Sequence, residues 1–180
     1  MQNTAIITAS ASLFIWVATQ WVRMLRNHYQ RLAERRNLVH ALFSEIDFNT
    51  KDLLFFVEKS VTLKQLETEF DKNPALIPHI TDAHHTLIYT YNIDKLHYID
   101  DHLITRLVVF YGLLEKIKEQ IDGLNRPSYA SISARGKYIT LTSLLDNAAE
   151  AEKIGCSILK EFQDKYQKLN LTREFRLPIK

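Results

Sequence analysis

One cysteine, four glycines and four prolines in 180 residues set the first limits. A lone Cys156 forbids an internal disulfide and suits a reducing compartment. An all-β domain needs turn formers every few residues, so their scarcity points to a few long elements. Catalytic signatures are also missing. The sequence contains no nucleophile elbow, zinc-finger spacing or dinucleotide fingerprint. The segment SISARGK, residues 131–137, has a superficial likeness to a phosphate loop. It lacks the GxxxxGK[ST] frame, because Tyr138 follows Lys137 and no glycine stands five places before Gly136. It reads as a basic loop, with Arg126, Arg135 and Lys137 available to an anionic partner. Nothing in the sequence requires a cofactor.

The charge is almost balanced, at +2 overall, but it is unevenly placed. Residues 1–36 hold Arg23, Arg26, Arg31, Arg35 and Arg36 against one acid, Glu34. The remainder is slightly acidic, with 18 basic and 20 acidic side chains, which excludes nucleic acid as a partner of the body.

The stretch from Thr4 to Val22, TAIITASASLFIWVATQWV, carries no charged side chain. That is the length a helix needs to cross a hydrocarbon core. Trp16 and Trp21 lie toward its end, where amphipathic rings favour the headgroup layer. A cleaved signal peptide fits poorly, because the segment opens MQNT without a basic side chain and Ala9–Ala11 precedes the strongest apolar run. A buried core helix would explain the hydroxyl residues but not the arginines that follow. The expectation is a single-pass membrane protein. Arginines retained on the inner side would place the N-terminus outside and the body in the cytoplasm, as in a bacterial inner membrane. Trp16, Trp21, Arg23, Arg26, Arg31, Arg35 and Arg36 are the expected lipid contacts. Ala5, Thr8, Ala9 and Ser12 recur at helical spacing and would form a small face for helix–helix contact within the span.

Beyond Val22 the apolar pattern is helical. Leu25, Tyr29, Leu32, Arg36, Val39, Phe43, Ile46, Thr50, Leu53 and Val57 follow an alternating 4–3 spacing, which predicts one long coiled-coil-like helix. Phe48, Leu54, Phe55 and Phe56 widen its apolar face and predict deep burial near its end. Thr62 and Gln65 form a capping-box pattern for a short helix closed by Asn73-Pro74. Thr81 or Asp82 could cap the next, through Leu87, Ile88 and Tyr91. Asp100 or Asp101 opens a clear helix on Leu103, Leu107, Phe110, Leu114, Ile117 and Ile121, with Gly123 as its stop. Asn125–Lys137 reads as a loop. A last helix runs from about Tyr138 to Leu169, with Leu144, Ala148, Ala151, Gly155, Ile158 and Phe162 on one face. The expected fold is all-α: an N-terminal transmembrane helix followed by a small antiparallel bundle. Residues 1–22 would form the anchor, 23–60 a juxtamembrane amphipathic helix, and 61–180 the rest of the bundle.

Five of the seven histidines fall between residues 79 and 102, among four aspartates. Imidazole and carboxylate together suit a metal, with His84, His85, His97 and Asp101 as candidate ligands. No pair has the spacing of an established ligand motif, so cap and surface roles account for them equally well. Cys156, beside Gly155 in an apolar helix, reads as an inert thiol. The functional expectation is a membrane-anchored, non-catalytic helical interaction protein: a subunit, scaffold or accessory factor. Its partners would be membrane lipid and another protein or its own copy. An oligomerising membrane effector or sensor, and a metal-binding protein or enzyme using residues 79–102, are the alternatives.

Overall fold

The computed structural model describes residues 2–59, 62–73, 75–80 and 85–173, with side chains from Ile15 onward except that of Leu63. The chain forms six α-helices within that range: α1 (Gln2–Lys59), α2 (Leu63–Lys72), α3 (Leu87–Tyr91), α4 (Asp101–Leu124), α5 (Pro127–Ala130) and α6 (Ala134–Lys165). Two 3-10 turns, Ile93–Tyr98 and Gln167–Leu169, complete it. Among the described residues there is no strand, so the all-α expectation holds. The chain divides into two compact units, Met1–Leu38 and Val39–Lys180, and α1 supplies residues to both.

The membrane span does not hold. Among the described residues no helix is long and apolar enough to cross a membrane. This overturns the single-pass arrangement with an outer N-terminus and a cytoplasmic body. In sequence the apolar stretch is diluted by Thr8, Ser10, Ser12, Thr19 and Gln20 and ends at Arg23. The side chains of Ala5, Thr8, Ala9 and Ser12 lie outside the described residues.

In the second unit the three apolar seams fold onto one another. Val39, Phe43, Ile46 and Leu53 of α1 are buried, as are all six seam residues of α4 and all six of α6. Ion pairs fix the direction of the α4–α6 pair. Lys165 meets Asp100 at 2.7 Å and Glu161 meets Arg106 at 2.6 Å, while at the other end Gln120 bonds Ser143. The end of α6 therefore lies at the start of α4, and the two are antiparallel. The body of α1 also runs against α6, with Phe43 edge-on to Phe162 and Thr50 facing Gly155.

The local signals at the starts of α2, α4 and α6 are met, whereas Gly123 does not stop α4, which runs to Leu124 with Asn125 as its C-cap. Thr62 and Gln65 close a reciprocal capping box on α2. The Asp100 side chain accepts from the His102 N–H at the start of α4, and the Ser133 hydroxyl accepts from Gly136 at the start of α6. Three further expectations are corrected. Phe48 and Phe55 are exposed rather than deeply buried. The loop 125–137 contains α5, begun by Pro127 at a first-turn position where its missing N–H costs nothing, and Ser133 starts α6 before Tyr138. Lys137 is fully buried; its ammonium faces the Tyr129 ring at 5.3 Å and donates to the Leu76 carbonyl at 3.4 Å. It is not part of a basic surface loop.

Candidate interaction surface and its buried polar support

Polar residues beside the α1 seam hold the second unit together. Helix α3 is five residues long and its N-cap, Thr86, makes no side-chain bond to the exposed N–H groups. Glu45, one helix away, supplies that acceptor. Its carboxylate takes the Ile88 N–H at 2.6 Å and the Tyr89 N–H at 3.0 Å. The Tyr111 hydroxyl of α4 donates to the same carboxylate at 2.7 Å. Tyr111 stacks on Tyr89, ring centres 3.9 Å apart. Burial, and then the negative Glu45 beside it, push the Tyr111 phenol well above its ordinary range. One turn on, the Asn49 amide bonds the His85 backbone in both directions, at 2.5 and 2.8 Å. Asp47 receives the Arg173 guanidinium at 2.6 Å. Glu45, Asp47 and Asn49 thus fasten three distant stretches to a single helix, and a carboxylate buried this way is tolerable only because its lone pairs are occupied.

The reactive candidates find structural employment. Cys156 is half-buried, donates to Glu152 at 3.2 Å and accepts from Arg173 at 3.6 Å. Burial first, and the Glu152 contact second, raise its thiol above the usual range. The thiolate is the nucleophile, so a reagent such as dithiobis(nitrobenzoate) should label Cys156 at neutral pH far more slowly than free cysteine. Labelling at the free-thiol rate would show the site open.

The proposed metal ligands are not assembled. His97 lies in the Ile93–Tyr98 turn and its Nδ1 is 2.7 Å from the Asp94 carbonyl, whereas Asp101 opens α4. Different elements carry them, so His97 and Asp101, four positions apart, do not share one helix face. His85 is engaged through its backbone by Asn49 and packs edge-on to Phe48, with centres 4.4 Å apart. His84 lies outside the described residues. Among the described residues no group of three or more His, Cys, Asp or Glu could hold a metal ion. An apolar cavity of about 310 Å³ lies among Phe55, Phe56, Leu66, Pro78, Leu141 and Leu144, with Lys59 and His79 also on its wall. None of its lining side chains is acidic, and none carries a hydroxyl or thiol.

The first unit presents the opposite surface. Every residue from Ile15 to Asn37 is exposed. Leu25, Tyr29 and Leu32, which continue the α1 seam, are 48%, 68% and 47% exposed. Trp21 and Val22 join them, and at 3.6 residues per turn all five fall on one arc of about 100°. Arg36 falls within the same arc. Arg23, Arg26, Arg31 and Arg35 lie outside it, as does Trp16. An amphipathic helix gains most of its stability from packing its apolar face, so this arc is built to be covered.

No protein-family model, curated protein or solved structure matches the chain.

Proposed function

We propose that the chain is a non-catalytic interaction protein, a subunit, scaffold or accessory factor that docks another helix on the exposed arc of α1. The supporting observation is the continuity of one seam. Val39, Phe43, Ile46 and Leu53 are buried by the chain's own helices, while Leu25, Tyr29 and Leu32 repeat the same spacing uncovered. The second unit serves as the folded base that carries this helix. Glu45, Asp47, Asp100, Arg106, Glu161, Lys165 and Arg173 are engaged in caps and ion pairs, and the Cys156 thiol beside Glu152 is held above its usual range, which favours binding over turnover.

A photo-crosslinking residue placed at Tyr29 should trap a discrete partner in cells, and the same residue at Asn27, on the opposite side of the helix, should not. Burying a leucine is worth roughly 1.5–3 kcal/mol, so Leu25→Asp with Leu32→Asp should reduce the trapped product at least about 100-fold while leaving the folded body intact by circular dichroism. Equal trapping at Tyr29 and Asn27, or no effect of the double substitution, would remove the reading.

A further inference from the structure

We propose that the apolar cavity of the second unit binds the anion of a medium-chain fatty acid, with the acyl chain inside and the carboxylate on Lys59. The inference goes beyond the docking arc and does not depend on it, since the residues that carry it all belong to the second unit. The end of α1, α2, the stretch 78–80 and α6 each turn apolar side chains to this space. Its deep wall is made by Leu66, Leu141 and Leu144, which are buried. A volume of about 310 Å³ falls within the roughly 300–1,000 Å³ of small-molecule sites. An apolar cavity of about 150 Å³ accepts the six carbons of benzene, so this one has room for roughly twelve. One unbranched chain fits, and the two chains of a membrane lipid do not.

The mouth is cationic. Lys59 is exposed, and its ammonium stands 5.0 Å from the centre of the Phe55 ring. That attraction holds the charge beside the apolar space. Phe55 is 41% exposed, so its ring marks the open side. His79, also exposed, adds a ring nitrogen on the same wall. Among the described residues no carboxylate lines the cavity, so an entering anion meets no like charge there. These features select a two-ended ligand. A tail carrying a polar atom would bury it among leucines without a partner. A neutral hydrocarbon would fill the cavity and leave Lys59 unused, and an ammonium head would face a like charge. A carboxylate at the end of a plain acyl chain satisfies both halves.

The test titrates the purified full chain, its leucine methyl groups labelled for NMR, with octanoate, octanol and octylammonium below their aggregation concentrations. Octanoate should shift the signals of Leu66, Leu141 and Leu144 saturably and leave Leu42 and Leu107, elsewhere in the core, unmoved. Affinity should rise about fourfold per methylene from hexanoate to decanoate. It should level off beyond roughly twelve carbons, when the cavity is full. Octanoate should bind at least about fivefold more tightly than octanol, and octylammonium should bind more weakly than either. Lys59→Met keeps an apolar stem and should bring octanoate down to the affinity of octanol. Lys59→Glu should reverse the order of octanoate and octylammonium, a result that general destabilisation could not produce. Absence of saturable binding, shifts spread evenly over the core leucines, affinity that keeps rising past fourteen carbons as partition into a loose interior would (roughly two beyond the room available), or an unchanged ligand order in Lys59→Glu would each overturn the site.

Discussion

Glu45→Ala is expected to cost the second unit about 3–5 kcal/mol, measured by urea denaturation. The substitution leaves the Ile88 and Tyr89 N–H groups and the Tyr111 hydroxyl without the acceptor they share. Each unsatisfied buried donor costs roughly 1–3 kcal/mol, and relief from burying a carboxylate offsets part of the total. Against a typical domain stability of about 5–15 kcal/mol, the change should move the unfolding midpoint far enough to be read without ambiguity. Two controls separate the causes. Glu45→Gln keeps the size and one acceptor oxygen and should cost about half as much. Tyr111→Phe deletes one donor and should cost about 1 kcal/mol. A Glu45→Ala protein as stable as the parent would show that α3 holds its place without the remote cap.

Gly155→Val is expected to cost about 3 kcal/mol or more, through overpacking. A Cβ at Gly155 would run into the Thr50 hydroxyl and stand 2.9 Å from Cε2 of Phe110. Both neighbours belong to packed helices that have no room to retreat. Gly155→Ala should cost less, because a helical alanine regains about 1 kcal/mol of backbone preference over glycine. Thr50 provides the decisive comparison. Its hydroxyl is buried and makes no hydrogen bond, so Thr50→Ala alone should be nearly neutral. Combined with Gly155→Ala it should recover most of the alanine penalty, and this non-additivity is the signature of direct contact. Strict additivity of the two would place the strain elsewhere.

The sequence and the structure part company at identifiable places. The seams of α4 and α6 were readable because an apolar residue every three or four positions has one physical outcome, burial of that face. The same spacing in α1 could be read for helix type but not for burial, since it is identical from Leu25 to Leu53 while only its second half is covered. Periodicity says which face seeks a partner and is silent on whether the chain supplies one. Glu45, Asp47 and Asn49 escaped the sequence reading because their partners are remote: His85 is 36 positions from Asn49, and Tyr111 is 66 from Glu45. The available signal was five polar side chains, Glu45, Asp47 and Asn49 among them, in ALFSEIDFNT, a stretch that also carries the seam residues Phe43 and Ile46. Lys137 misled for the opposite reason. A lysine among Ser, Arg and Gly has the composition of a solvated loop, and the ring of Tyr129 and the Leu76 carbonyl, both remote from that composition, help make its burial tolerable. Composition alone makes the N-terminal segment a span, whereas among the described residues no helix is long and apolar enough to cross a membrane.

The grip of α1 on the end of the chain has a consequence for biosynthesis. Asp47 and Arg173 are 126 positions apart. At typical elongation rates of about 5–20 residues per second, a ribosome that has finished Asp47 needs roughly 6–25 s to reach Arg173. Until α4 and α6 have been made, the body of α1 must wait with Val39, Phe43 and Ile46 uncovered. The nascent protein therefore displays one apolar stripe interrupted only at Arg36 and Thr50, and its exposed half and the future core look alike to anything that meets it. A chaperone that shields the stripe until α4 and α6 arrive would decide whether it is divided correctly.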